Sequence, residues 1–152
     1  MLDRALQAEL TLFYVDWRHQ QITQTVPGVG NITRNAGHSD SKGVELGLIA
    51  RPVQPLTLRL SYGYTYARFL NYEKSETVSY TGLMLPLVSR HTLSLNGAYT
   101  ITPQNSFIDR LVISAGVNGM GKIYWNEDNA VSQPFYALLN AKISATIGRL
   151  TW

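Results

Sequence analysis

The residues that could do chemistry in this chain are few, and their spacing denies them most of it. His19, His38 and His91 lie far apart, without the close spacing by which imidazoles share a metal ion, and they read as loop or interface histidines. Gly28-Val29-Gly30 is a lone glycine pair with no helix after it, so it lacks the dipole and amides that hold a phosphate. Glu127 and Asp128, between Asn126 and Asn129, offer oxygen donors for calcium, but not at the spacing of an EF-hand loop; a solvated loop is the simpler reading. No nucleophile, base and orienting group recur together, so no catalysis is expected, and no cofactor or metal. What remains is binding: Tyr72, Tyr80 and Tyr124 can stack on a flat or catecholate-like ligand.

Whole-chain properties narrow the class. With 152 residues, 45% hydrophobic and 15% charged, the chain has the length and apolar content of one folded domain. Its 13 lysines and arginines are scattered, so a net charge of +3 marks no nucleic-acid footprint. Cysteine is absent, which removes disulfide scaffolds and thiol catalysis and leaves the compartment open. No apolar run is long enough for a membrane helix, and the mean hydropathy is -0.08. A membrane barrel gives the same average, because its strands alternate lipid-facing and lumen-facing residues. The charged start, Met1-Leu2-Asp3-Arg4, lacks the apolar run of an export signal, so a membrane reading implies a longer precursor.

That alternation is written out between Leu56 and Ala67. Leu56, Leu58, Leu60, Tyr62, Tyr64 and Tyr66 alternate without error against Thr57, Arg59, Ser61, Gly63, Thr65 and Ala67. The period is two, and the run exceeds the roughly 9–11 residues that a tilted strand needs to cross hydrocarbon. Four more segments follow the same rule: Val44, Leu46, Leu48 and Ala50; Leu93, Leu95 and Tyr99; Leu111 to Val117 with Ile123 and Trp125; and Ala137 to Ile147. A sixth strand, around Leu10 to Gln24, is apolar on both parities at its start, which leaves its facing open. The expected fold is all-β, an antiparallel up-and-down meander of about six strands forming part of a transmembrane β-barrel.

Connection lengths orient it, since such barrels have short periplasmic turns and long external loops. A long loop with Pro27, Gly28, Gly30 and Asn31 is followed by a tight turn at Pro52 to Pro55. The long Leu70 to Pro86, the turn at Pro103 to Ser106 and the exposed Asn126 to Gln133 continue the alternation. Tyr64, Tyr66 and Trp125 then fall in an external aromatic girdle, and Tyr99 in the periplasmic one. Glu45, Arg59, Arg90, Lys122 and Lys142 take the opposite parity. Each cation would cost about 2–4 kcal/mol at the lipid midplane, so this parity is assigned to a wet or plugged lumen.

Several stretches resemble the C-terminal region of TonB-dependent receptors of the Gram-negative outer membrane. They are Leu12-Phe13-Tyr14-Val15-Asp16-Trp17, Asn35-Ala36-Gly37 leading into Ser41-Lys42-Gly43-Val44-Glu45-Leu46, and Leu60-Ser61-Tyr62-Gly63-Tyr64-Thr65. Arg90-His91-Thr92-Leu93-Ser94-Leu95 and Gly121-Lys122-Ile123-Tyr124-Trp125 complete the set, which spans nearly the whole chain. The resemblance implies a barrel of about 22 strands surrounding a plug, uptake of a ferric siderophore or similar scarce nutrient, and energy delivered by TonB through an N-terminal box. Residues 1–152 would be part of that barrel, without plug or TonB box, and without its final strands. Leu150 and Trp152 break the frame of Ile143, Ala145 and Ile147 at Gly148, as at the start of a further strand. Arg59, Arg90 and Lys142 would meet the plug, an anionic substrate, or Glu45 in an ion pair.

Alone in lipid, about six strands would leave two unpaired edges, so an isolated piece is expected to associate edge to edge or complete a larger barrel. The alternatives are a small free-standing outer-membrane barrel of structural or adhesive role, which needs at least eight strands, and a soluble β-sandwich, whose strands should be shorter.

Overall fold

The computed structural model describes residues 5–19, 21–26, 29–35, 37–75, 77–104, 107–148 and 150–151. Met1 to Arg4, Pro27, Gly28, Ala36, Ser106 and Trp152, all named above, lie outside them. Six long strands form the frame: β1 (Leu6–Arg18), β4 (His38–Val53), β5 (Leu56–Asn71), β8 (His91–Ile101), β9 (Arg110–Met120) and β12 (Tyr136–Ile147). Each is hydrogen-bonded antiparallel to the next, and the short β13 (Leu150–Thr151) turns back onto β12. This is the expected meander, in a single layer. No second sheet covers either face among the described residues, which sets aside the sandwich.

Between the long strands lie three small hairpins: β2 (Gln21–Val26) with β3 (Gly30–Asn35), β6 (Glu73–Ser75) with β7 (Val78–Ser79), and β10 (Ile123–Tyr124) with β11 (Ser132–Gln133). All three stand at one end of the sheet, and the opposite end has compact turns such as Gln54-Pro55. The first strand begins earlier than its composition suggested and stops at Arg18. His19 then takes a φ of 58°, the left-handed region, which breaks the extended backbone and starts the hairpin at Gln21.

The register places every alternating set on a common face. Tyr62 faces Leu46 on one side and Leu93 on the other, and Leu95, Val117 and Leu139 continue the row begun by Leu48 and Leu60. Pairing with β4 also settles β1: Leu6, Ala8, Leu10, Leu12 and Tyr14 join the apolar face, while Glu9, Thr11, Phe13, Val15 and Trp17 join the polar one. Phe13 goes inward because Gly43 opposite it has no side chain. A Cβ at Gly43 would run into the Phe13 ring and the Tyr64 carbonyl, the pairing by which an aromatic covers a strand glycine.

The apolar face is bare. Leu12 is 72% exposed, Ile143 71% and Leu139 84%, whereas water-soluble monomers seldom leave so continuous an apolar surface uncovered. Burial occurs instead at the hairpin end, where Phe69, Tyr72 and Tyr80 form a small core flanked by Leu83 and Leu85.

Candidate functional site

The polar face is a trough. Its upper part, about 530 Å³, is lined by Glu9, Thr11, Glu45, Ser61, Thr92, Ser94 and Asn118, with Gly47 and Gly63 contributing no side chain to it. A second hollow of about 370 Å³ lies lower, beside Arg59, Asn96, Ser114, Asn140 and Lys142. The floor between them carries a hydrogen-bonded chain: Asn96 Nδ2 donates to Ser94 Oγ at 2.9 Å, and Ser94 Oγ donates to Asn118 Oδ1 at 2.7 Å. Such short polar side chains satisfy one another while leaving the surface wettable.

Glu45, Arg59 and Lys142 therefore share the polar face, but the fold keeps them apart. Glu45 lies level with Gly63, four residues up the strand from Arg59, or roughly 13 Å at strand rise. Lys142 is on β12, three strands across from Arg59, roughly 14 Å at sheet spacing. No ion pair joins any of the three to a partner among the described residues. The neighbour of Glu45 is a second carboxylate: Glu9 pairs with Gly47 and Thr11 with Glu45, so Glu9 and Glu45 are diagonal neighbours, roughly 7–8 Å apart. Glu9 escaped the sequence reading because its strand had no assignable facing. The trough is thus acidic on its upper side and basic on its lower.

Arg90 requires a correction. It does not point into the trough, for its guanidinium carbon lies 5.4 Å from the centre of the Tyr66 ring, on the apolar side of the sheet, and its Nη2 donates to Met84 Sδ at 3.4 Å. Strand parity misplaces it because β8 begins only at His91. Lys122 also stands beyond the ladder, after β9 ends at Met120; its ammonium sits 4.5 Å over the Tyr124 ring in the last hairpin.

The three tyrosines proposed for ligand stacking do not form one site. Tyr72 and Tyr80 pack edge to face at 5.3 Å and are 2% and 8% exposed, so neither presents a ring face to a ligand in this arrangement. They hold the rim together instead. The Tyr72 hydroxyl donates to Glu127 at 3.0 Å, and Lys74 Nζ donates to the Tyr80 hydroxyl at 2.8 Å. That hydrogen bond, aided by the charges of Glu127 and Asp128, holds the Lys74 ammonium above its ordinary pKa against a smaller opposing effect of burial. Asn129 clamps the backbone of Met84 from both sides, donating to its carbonyl and accepting from its amide, each at 2.9 Å. The Leu87 amide donates to the Tyr124 carbonyl. Asp128 Oδ1 and Asn126 Oδ1 accept from the amides of Ala130 and Val131, which tightens the turn. Of the three tyrosines only Tyr124 keeps a partly open ring.

The four aromatics expected in the girdle stand toward the two ends of the apolar face. Tyr64 meets His91 at a tilt with ring centres 5.2 Å apart, and the Tyr62 hydroxyl lies 2.9 Å from His91 Nδ1. Tyr66 follows one level higher, and Trp125, 53% exposed, lies in the last hairpin. Tyr99 stands opposite Leu56, at the other end of the apolar band.

A family model described as the TonB dependent receptor-like β-barrel matches residues 1–151. The chain belongs to the TonB-dependent receptor β-barrel family. Solved structures of similar fold include the ferric yersiniabactin uptake receptor FyuA from Yersinia pestis, at 21% identity and a TM-score of 0.76 over 96% of this chain. BauA, the ferric preacinetobactin receptor from Acinetobacter baumannii, gives 17% and 0.71 over 95%, and PiuA, a siderophore receptor from the same organism, 20% and 0.71 over 98%. The chain spans 21% of the length of each. Proteins of the TonB-dependent receptor family are outer-membrane proteins, and a barrel wall of that family accounts for the bare leucine face and the polar trough behind it.

Proposed function

We propose that this segment is barrel wall of a TonB-dependent receptor that takes up a ferric siderophore or a similar scarce nutrient across the outer membrane. One observation carries the reading: the sheet exposes a continuous apolar face and backs it with a polar trough, in a chain whose length is matched by the receptor barrel family. Hydrocarbon stabilises the first face. A plug contributed by other sequence of the receptor suits the second, since the acidic upper side at Glu9 and Glu45 and the basic lower side at Arg59 and Lys142 are unneutralised within the sheet. Energy would come from TonB, through a box outside this segment. The siderophore class rests on what the similar receptors are described as carrying.

The test is uptake of labelled ferric siderophores by cells carrying or lacking the gene that encodes this segment, with and without TonB. Loss of uptake of one carrier in the deletion strain, and equally in the strain without TonB, is expected; uptake unchanged for every carrier offered would defeat the proposal. Within the receptor, Tyr124→Ala is expected to weaken ligand capture, and undiminished uptake would remove Tyr124 from the external site.

A further inference from the structure

Tyr66 is surrounded by cations. The ammonium of Lys42 lies 5.8 Å from its ring centre, the guanidinium carbon of Arg68 5.7 Å and that of Arg90 5.4 Å. A single ring face does not require three positive groups, and their mutual repulsion opposes the gathering. Arg68 is offset by buried Asp40, to which its Nε donates at 3.2 Å. Lys42 and Arg90 have no carboxylate partner among the described residues, and both are exposed.

Position explains what would neutralise them. Lys42 pairs directly with Tyr66, and Arg68 follows two residues on, so both stand on the apolar parity, not in the trough. Arg90 leaves lumen parity to join them. From Leu56 to Tyr66 the strand rises roughly 33 Å, which a tilt near 45° converts to about 23 Å of height, close to the ~25 Å apolar band of such barrels. The cluster therefore stands just above the hydrocarbon, at headgroup level. Cations at that level attract anionic lipid.

Resting on the receptor reading above, we propose that Lys42, Arg68 and Arg90 form a docking site for the phosphate of an anionic lipid headgroup in the leaflet around the barrel. Lys42 and Arg90 supply the uncompensated charge. Arg68, positioned by Asp40, supplies directed N–H donors, and the Tyr66 ring keeps the three side chains from spreading into solvent.

The experiment uses the full-length receptor in uncharged detergent, with phosphatidic acid as the probe and diacylglycerol, identical but for the phosphate, as its comparator; bound lipid is counted by native mass spectrometry. Arg68 is left in place so that Asp40 keeps its partner. Each cation near a lipid surface contributes roughly a fivefold preference, so K42Q/R90Q is expected to weaken phosphatidic acid binding about 25-fold. Lys142→Gln, in the trough, should leave it unchanged. Equal binding of diacylglycerol, an unaltered affinity in the double variant, or full displacement by inorganic phosphate at the affinity of the lipid would each overturn the proposal. Membrane fractionation of the parent receptor separates the two claims: recovery with the outer membrane upholds the receptor reading even where lipid binding fails.

Discussion

Leu139 and Phe69 are large apolar residues on strands of the same sheet, yet one is 84% exposed and the other 2%. Leu139 belongs to a row crossing the middle of the sheet, where none of the described residues covers the apolar face. Phe69 belongs to the rim, where the Leu70 to Arg90 loop folds back over it and Tyr72 and Tyr80 close the contact at 4.9 and 5.3 Å. The same hydrophobic effect thus acts in opposite directions in the two regions. The rim behaves like a small water-soluble protein with its own core, mounted on a wall turned inside out.

Substitutions in the full-length receptor can break that contrast. Phe69→Ala should cost about 3–5 kcal/mol locally, as for other buried aromatic truncations, and open the loops to protease while the barrel stays folded. Global unfolding at the same denaturant shift would show rim and wall to be one cooperative unit. Leu139→Arg should destabilise insertion by about 2–4 kcal/mol in lipid refolding equilibria, against little change for Asn140→Arg on the trough face. Equal effects at the two positions would erase the distinction between faces.

Smaller changes sharpen the picture at the rim. Tyr72→Phe keeps the ring and removes its bond to the Glu127 carboxylate. A loss of about 1.5–3 kcal/mol of loop stability, read by hydrogen exchange of residues 121–133, would show the two hairpins to be coupled there. The smallest effect concerns pH. Lys74 has a folded pKa raised above its ordinary value of 10.5, so its contribution is fully present below that value and is lost as pH rises through the folded pKa. Protease resistance of the parent loop should exceed that of Lys74→Met by a constant margin from neutral pH to about pH 10, and the margin should close above it. A margin that closed between pH 6 and 8 would assign it to another group.

The wall was legible because its signal is local. Alternation from Leu56 to Ala67, and its repetition in four other segments, specified strands, faces and meander before any contact was known. Where alternation lapsed, so did the reading. Leu12 to Trp17 show apolar residues on both parities, since Phe13 fills the space over Gly43 on the polar side, and a propensity pattern cannot see the glycine across the strand. Gln21 to Asn35 were read as strand end and loop, and they form a hairpin of their own.

The site was legible in composition but not in arrangement. Glu45, Arg59 and Lys142 fell on one parity and stayed there, because parity is inherited along a strand. Arg90 did not, because it stands just before β8, held only by its carbonyl to the Thr65 amide, and its side chain turns to Tyr66 and Met84 instead. Tyr72 and Tyr80, tyrosines in a long loop, had the sequence look of exposed binding residues and became the rim core, because Glu127 and Lys74 bond their hydroxyls. Spacing along the chain contains no trace of a bond between residues 72 and 127.

By itself, then, the amino-acid order determined which side chains share a face along the five alternating strands, since a two-residue period needs only the backbone's own geometry; the limits and facing of β1 came from its pairing with β4. Tertiary structure alone decided which loops lock together, where Arg90 turns, and that three cations meet over Tyr66. Those outcomes depend on strand register and on loops crossing from one hairpin to another, and both are set by contacts between residues distant in the chain.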